Sequence, residues 1–399
     1  MISFMIRLPF FLAATVLTSA LSAELHEAAT AHAILRGTYQ NSRIAFERGK
    51  RGHVVFLGGS ITENTRGHTA MIPEWLKGRF PETEFTFTNA GISSTCSTTG
   101  AFRLQDHVLK HGPVDLLIVE FAVNDDQDAV HAEREARRGL EGIVCHTRTH
   151  NPRADILQIH FTNPGILKQF QDGKTPVSVQ AHESVAKHYG LASINVGAAL
   201  AAGAQDWQTY GGTHPKPAGY RLVSDMAISV LEEAWSSPLP AGATPTPHPL
   251  PPLLDPGSYT TGRVLTPAKA RKSGTWTTGK GTRGLLPKGS IRSRFQSADL
   301  TVGTGVDTSM AFKFTGRAIG AYVLAGPDAA LLETSIDGGP FTPTDLYHHH
   351  SRGLNYPRTV LFATDLTPGE HTILLRIAER QDRQPGGTRA AILHFVVNE

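Results

Sequence analysis

Cysteine is almost absent: Cys96 and Cys145 are the only two in 399 residues. So few thiols exclude a disulfide-stapled scaffold. Neither stands in a CxxC or Cys/His spacing of the kind that holds zinc, so no metal is expected. The pair permits one disulfide or two buried thiols. An excess of one charge is also missing. Lys and Arg number 38 against 35 Asp and Glu, a formal net charge of +3. No basic block marks a nucleic-acid footprint, and a neutral or weakly charged partner is the expectation. Long apolar runs are lacking too. The run from Leu8 to Leu17 falls short of the ~20 residues that cross a bilayer, and no later run is long enough either.

What stands at the N-terminus reads as a leader. Arg7 supplies a positive start, the apolar run follows, and Ser19-Ala20-Leu21-Ser22-Ala23 offers small residues for cleavage after Ala23. Residues 1–23 are therefore read as a signal peptide and the mature protein as exported, periplasmic or extracellular. Stable membrane insertion after cleavage is not expected. A buried N-terminal helix is the alternative.

From about residue 53 to 235, short apolar runs alternate with amphipathic stretches. The runs begin at His53, Glu84, Leu116, Ile156 and Ala192. Continuous apolar strands separated by helices predict a parallel sheet covered on both faces, a three-layer α/β domain over residues 24–235. Ligands bind beyond the carboxyl ends of such strands. Composition changes at Ser236. Residues 236–257 are rich in proline and predict an extended, semi-rigid linker. Beyond, over residues 258–399, short alternating runs punctuated by turns such as Asp337-Gly338-Gly339 predict a β-sandwich. His348-His349-His350 is read as a surface loop, with metal binding as the lesser reading.

Chemistry is concentrated at the predicted strand ends. Val55-Phe56-Leu57 runs into Gly58-Gly59-Ser60, which leaves Ser60 either as an exposed nucleophile or as a helix cap. The other strand ends decide between these. Asn89-Ala90-Gly91 follows the second strand, Ala122-Val123-Asn124-Asp125 the third, and Gly212-Thr213-His214-Pro215 opens the last helix. Taken singly, each is an ordinary turn, cap or loop residue. Together they supply a hydroxyl, amide donors and an imidazole at one edge of the sheet.

This set of four ordered blocks resembles the SGNH (GDSL) hydrolase family over about residues 50 to 235. The resemblance implies a flavodoxin-like α/β/α sandwich and an esterase or acyl hydrolase. It implies Ser60 as nucleophile and His214 as general base. The Ser60 and Gly91 N–H groups and the Asn124 side chain would form the oxyanion hole. No cofactor is required for that chemistry. One departure stands out. The family usually carries an aspartate three residues before the histidine, and here that position is Gly211. A Ser–His dyad is the favoured explanation, with Asp206 as a possible third acid and reduced activity as a third option.

Other polar residues receive structural readings. Glu120 in the third strand is expected to pair with Arg103, because buried charge needs compensation. Asp125 is expected to cap the segment that follows it, and His182 and Glu183 to lie on a solvated helix face. Phe121, Phe161 and Trp75 are read as core. Trp276, Tyr322, Tyr347 and Tyr356 are candidates for stacking on sugar.

The function expected from these observations is an exported serine esterase that removes a short acyl group, acetyl foremost, from a carbohydrate. A lipase-like or thioesterase activity on longer chains is one alternative. A non-catalytic glycan-binding protein on a decayed scaffold is the other, and Gly211 is its best support. Residues 258–399 are either a carbohydrate-binding module, by analogy with modules beside such hydrolases, or a structural accessory. Oligomeric state is not legible.

Overall fold

The computed structural model describes residues 27–380 and 385–399; the leader expected over residues 1–23 lies outside them. The first sheet contains β1 (Ala33–Ile34), β2 (Arg51–Leu57), β3 (Glu84–Asn89), β4 (Leu116–Val119), β5 (Asp155–His160) and β6 (Ala192–Asn195). Their order is β1-β6-β5-β4-β2-β3. The ladders from β2 to β6 are parallel, and β1 joins β6 antiparallel. Strand order reverses at β2, which lies between β3 and β4, so the switch point where such sheets bind ligands falls at its carboxyl end. β4 and β5 are buried along their whole length, as continuous apolar strands between two helical layers require.

An antiparallel β-sandwich follows, built of β7 (Gly262–Leu265), β8 (Arg271–Lys280), β9 (Asp299–Thr315), β10 (Ala318–Ala325), β11 (Leu331–Ile336), β12 (Thr342–Asp345), β13 (Tyr356–Ala363), β14 (Glu370–Ala378) and β15 (Arg389–Asn398). The sequence reading did not single out β7, β8, β12 or β15. β8 is polar and largely exposed, so it carries no apolar alternation.

The two parts share one apolar core. On β10, Ile319, Ala321 and Val323 point into the sandwich. Ala318, Tyr322 and Leu324 on the opposite face pack with Phe102 and Leu104 of the helix Ser97–His107. β15 does the same, with Ile392 inward and Leu393 outward. The register slips between Tyr322 and Val323 opposite it, and beyond the slip Phe395 points inward and Val396 outward. One extra residue shifts which positions face which core.

The proline-rich segment is a strap rather than a free spacer. Thr246 exchanges hydrogen bonds with the Asn41 amide at 2.8 Å in each direction. The His248 ring meets Asp155 Oδ1 at 2.8 Å, and the His248 backbone N–H donates to the Pro152 carbonyl. Buried Glu141 then accepts from the N–H groups of Leu254 and Asp255 and from Ser258 Oγ. Side chains of the α/β layer thus pair with the strap's backbone and hold this largely exposed segment in place.

Candidate active site

β2 ends at Leu57, and Ser60 opens the one-turn helix Ser60–Glu63. The N–H of a first helical residue has no intrahelical acceptor, so that of Ser60 points outward. Ser60 Oγ lies 2.8 Å from His214 Nε2, joining the ends of a separation of 154 residues. His214 is exposed and precedes the helix Pro217–Ala234.

Behind the serine sits Glu120, fully buried. It accepts from the Gly59 N–H at 2.8 Å and from Thr62 Oγ1 at 2.7 Å, while its Oε2 has no partner. Burial pushes its carboxyl up to about 7, because the charged form loses its hydration. The expected pair with Arg103 does not form. Arg103 is buried on the other side of the turn and donates to the Ala90 carbonyl at 2.7 Å and the Gly58 carbonyl at 3.2 Å. Glu120 thus serves donors and Arg103 serves acceptors of the same loops, and neither neutralises the other. Desolvation lowers the Arg103 guanidinium to about 10.

Gly91 lies against the Thr62–Glu63 backbone, which brings the loop after β3 beside the serine helix. Its N–H donates to Asn89 Oδ1 at 2.9 Å, and Asn89 Nδ2 donates to the Thr62 carbonyl at 2.7 Å. Asn124, buried in the helix Ala122–Gln127 that follows β4, approaches Gly59 so closely that a Cβ there would meet Asn124 Oδ1 at 2.1 Å. Its Nδ2 donates to Asp128 Oδ2 at 2.5 Å. The structure therefore brings Ser60, Gly91, Asn124 and His214 to one edge, with the Gly91 and Asn124 donors engaged by Asn89 and Asp128.

Asp206 is not brought to His214. It caps the short helix Trp207–Tyr210, where its carboxylate accepts the Thr209 N–H at 2.9 Å. Among the described residues, no hydrogen bond reaches the second ring nitrogen of His214, from Asp206 or from a backbone carbonyl. Gly211 explains the missing acid. Its φ is 107°, and a Cβ would stand 2.5 Å from the Lys216 N, so no aspartate follows this path.

Three other expectations are corrected. Asp125 does not cap its own segment but accepts from Ser97 N at 2.8 Å and Ser97 Oγ at 2.6 Å, at the start of another helix. His182 is buried, not solvated, and its Nε2 meets Asp125 Oδ2 at 2.9 Å. Glu183 is paired with Arg36 and His160. Cys96, Asp125 and His131 hold potential ligand atoms within 4.8 Å of one another. Asp125 already spends both oxygens on Ser97 and His182, so this trio reads as a buried charge pair of the fold rather than an open ligand set. Cys96 and Cys145 are both free and buried. Tyr322 and Tyr356 are buried and offer no open stacking platform; Trp276 is half-buried, lying over Gly303 with Nε1 donating to the Ser309 carbonyl. Phe121 and Phe161 are core.

Sequence reasoning missed Asp128 behind Asn124, and the docking of His348–His350. Those histidines lie at the surface, with His349 and His350 exposed, but in place of a loop His349–Arg352 is a 3-10 helix, and His348 Nε2 meets the Asp128 carbonyl at 2.9 Å. No local pattern signals either contact.

A flavodoxin-like sheet with a hydroxyl–imidazole pair at its switch point defines a class, the carboxylic ester hydrolases of α/β/α type. Residues 56–222, within the α/β part, match the GDSL-like Lipase/Acylhydrolase family. No curated protein matches the chain. Among solved structures, a two-domain esterase active on acetylated mannans, co-crystallized with mannopentaose, is similar over 92% of this chain and 97% of its own, with TM-score 0.71 and 19% identity. A second structure of a two-domain esterase active on acetylated mannans gives TM-score 0.70 and 20% identity over 91% and 96%. These likenesses show that the two-part fold is shared. An acetylxylan esterase from Geobacillus stearothermophilus aligns over 47% of this chain and 95% of its own at TM-score 0.37 and 15% identity. No helix among the described residues is long and apolar enough to cross a membrane.

Proposed function

We propose that this chain is an exported esterase that removes a short acyl group, acetyl foremost, from a carbohydrate through a covalent acyl-enzyme. The observation that carries the reading is the 2.8 Å contact between Ser60 Oγ and His214 Nε2 at the switch point. A serine hydroxyl attacks a carbonyl only if a base takes its proton, and the imidazole is placed to do so. Ser60 Oγ bonds to the ester carbon while its proton passes to Nε2. The carbonyl oxygen becomes an oxyanion held by the Ser60 N–H, by the Gly91 N–H drawn in from Asn89, and by the second Nδ2 hydrogen of Asn124, whose first stays on Asp128. Collapse expels the sugar hydroxyl, which takes the proton from His214. Water activated by the same nitrogen then releases the acid and restores Ser60.

The Ser60–His214 pair works without a carboxylate in this reading, since Gly211 and Asp206 leave the imidazole unassisted. The sugar assignment is supported by the appended β-sandwich and by the fold shared with a two-domain esterase active on acetylated mannans. Acetylated mannans are accordingly the first substrates to test. Ser60→Ala and His214→Ala are expected to lower kcat by about 10³-fold or more, read as acetate release. Unchanged acetate release from Ser60→Ala would remove the reading. A preference for octanoyl over acetyl esters would instead favour the long-chain alternative.

A further inference from the structure

Both residues proposed to flank the Ser60 N–H as oxyanion donors are tied to side chains of the β-sandwich, Gly91 directly and through its loop, Asn124 through Asp128. On one side stand Arg292 and Arg294, at the helix Ser293–Gln296. Arg292 donates to the Ser93 carbonyl at 2.7 Å and to Ser94 Oγ at 2.8 Å. Arg294 donates to the Gly91 carbonyl at 3.2 Å and stands 3.5 Å from Glu63 Oε1. Glu63 in turn accepts from the Ser93 N–H at 2.9 Å. The loop bearing Gly91 is thus held between the serine helix and two guanidinium groups of the other domain.

On the other side stands His348. Its Nδ1 accepts the His350 N–H at 3.3 Å, so its hydrogen is on Nε2, which donates to the Asp128 carbonyl at 2.9 Å. The ring stacks on Tyr356 with centroids 4.4 Å apart. Burial holds the imidazole down at about 4, which keeps this neutral tautomer in place at neutral pH. His350 Nε2 lies 3.4 Å from Asp128 Oδ1. The other carboxylate oxygen of Asp128 takes Asn124 Nδ2. His348 therefore fixes the backbone, and His350 the carboxylate, of the residue that aims the Asn124 amide.

We propose that the β-sandwich completes the oxyanion site, with Arg292 and His348 as positioning residues that act through Ser93–Ser94 and Asp128 on Gly91 and Asn124. The inference rests on the oxyanion reading of Gly91 and Asn124 given above. Its physical basis is that fixed donors stabilise the developing charge only when held in place, and misplacement by about 1 Å costs on the order of 10²-fold in rate. A second domain that packs on these loops supplies that fixity from outside the sheet.

The test uses the full chain and a small ester, p-nitrophenyl acetate, so that glycan binding does not enter. Arg292→Ala and His348→Ala are each expected to lower kcat by about tenfold, with KM changed less than about twofold and the thermal midpoint held within a few degrees. His348→Gln, whose amide nitrogen can donate to the same carbonyl, is expected to recover most of the rate. In a double-mutant cycle, His348→Ala is expected to add nothing once Asn124→Ala is present. Full kcat in both single variants overturns the proposal, as does a His348→Ala loss that multiplies unchanged on the Asn124→Ala background. Ser60→Ala separates the two levels. If it abolishes hydrolysis while the positioning variants keep full rate, the clamp alone fails; if it retains hydrolysis, the oxyanion reading fails with it.

Discussion

Glu120 is a buried carboxyl group whose partners are donors rather than a cation, the Gly59 N–H and Thr62 Oγ1. Its value rises from an ordinary 4.5 to about 7 in the fold. Between those values the folded protein binds more protons than the unfolded chain, so stability falls as pH rises. The contribution is present below 4.5 and is lost as pH climbs through about 7. Glu120→Gln keeps an acceptor for both donors and cannot ionise. Its stability relative to the parent is expected to increase by up to about 1.4 kcal/mol per pH unit across that window, read by urea unfolding at pH 5 and pH 8. A gap that does not widen would mean that Glu120 ionises freely. Asp206 gives a second residue-scale outcome. Because it caps a helix rather than orienting His214, Asp206→Asn is expected to retain kcat and fold stability. Asp206→Ala loses about 1 kcal/mol of stability with the cap. A large kcat loss in Asp206→Asn would place a carboxylate back behind the imidazole.

At the scale of elements, β10 and β15 are the members on which both parts depend. Each is apolar on both faces because each borders two cores, one inside the sandwich and one against the helix Ser97–His107. This explains why β10 is buried at every position although it belongs to an antiparallel sheet, where one wet face is usual. Leu324→Ala removes side-chain volume from the core shared with Phe102 and Leu104. It is expected to cost about 2–5 kcal/mol, measured by denaturant unfolding. A cost below about 1 kcal/mol would show that the seam between the parts is loosely packed. The strap over residues 236–257 is a further element whose behaviour departs from its composition. Proline keeps it extended, but Asn41, Asp155 and Glu141 hold it against the α/β layer.

For the whole molecule, these contacts join two folds into one unit. Arg138, buried, donates to Asp255 at 2.9 Å and also to Asp365, so the strap, the helix Glu133–His150 and the sandwich meet at one charge cluster. Calorimetry is expected to show a single cooperative transition, because neither part can unfold without exposing the common core. Two resolved transitions would show that the parts unfold separately. The same continuity is what allows side chains of the sandwich to reach the loops around Ser60.

The α/β pattern, the change at Ser236 and the four strand-end blocks were legible in the chain itself. Local periodicity encodes buried parallel strands, and short turns that follow them leave an unmistakable order of Gly-Ser, Asn-Ala-Gly, Asn-Asp and Thr-His-Pro. The meaning of Gly211 was only half legible. A missing aspartate is visible in one dimension, whereas the close Lys216 backbone that leaves no room for its Cβ is not. The fates of Glu120 and Arg103 also depended on the fold, because which side of a turn a buried charge occupies is set by packing between distant strands. Strands as polar as β8 carry no period to read. Above all, the contacts of Arg292 and His348 with loops some 200 residues away arise when two cores merge. Local sequence determines what each element can become, and long-range packing alone decides which elements share a site.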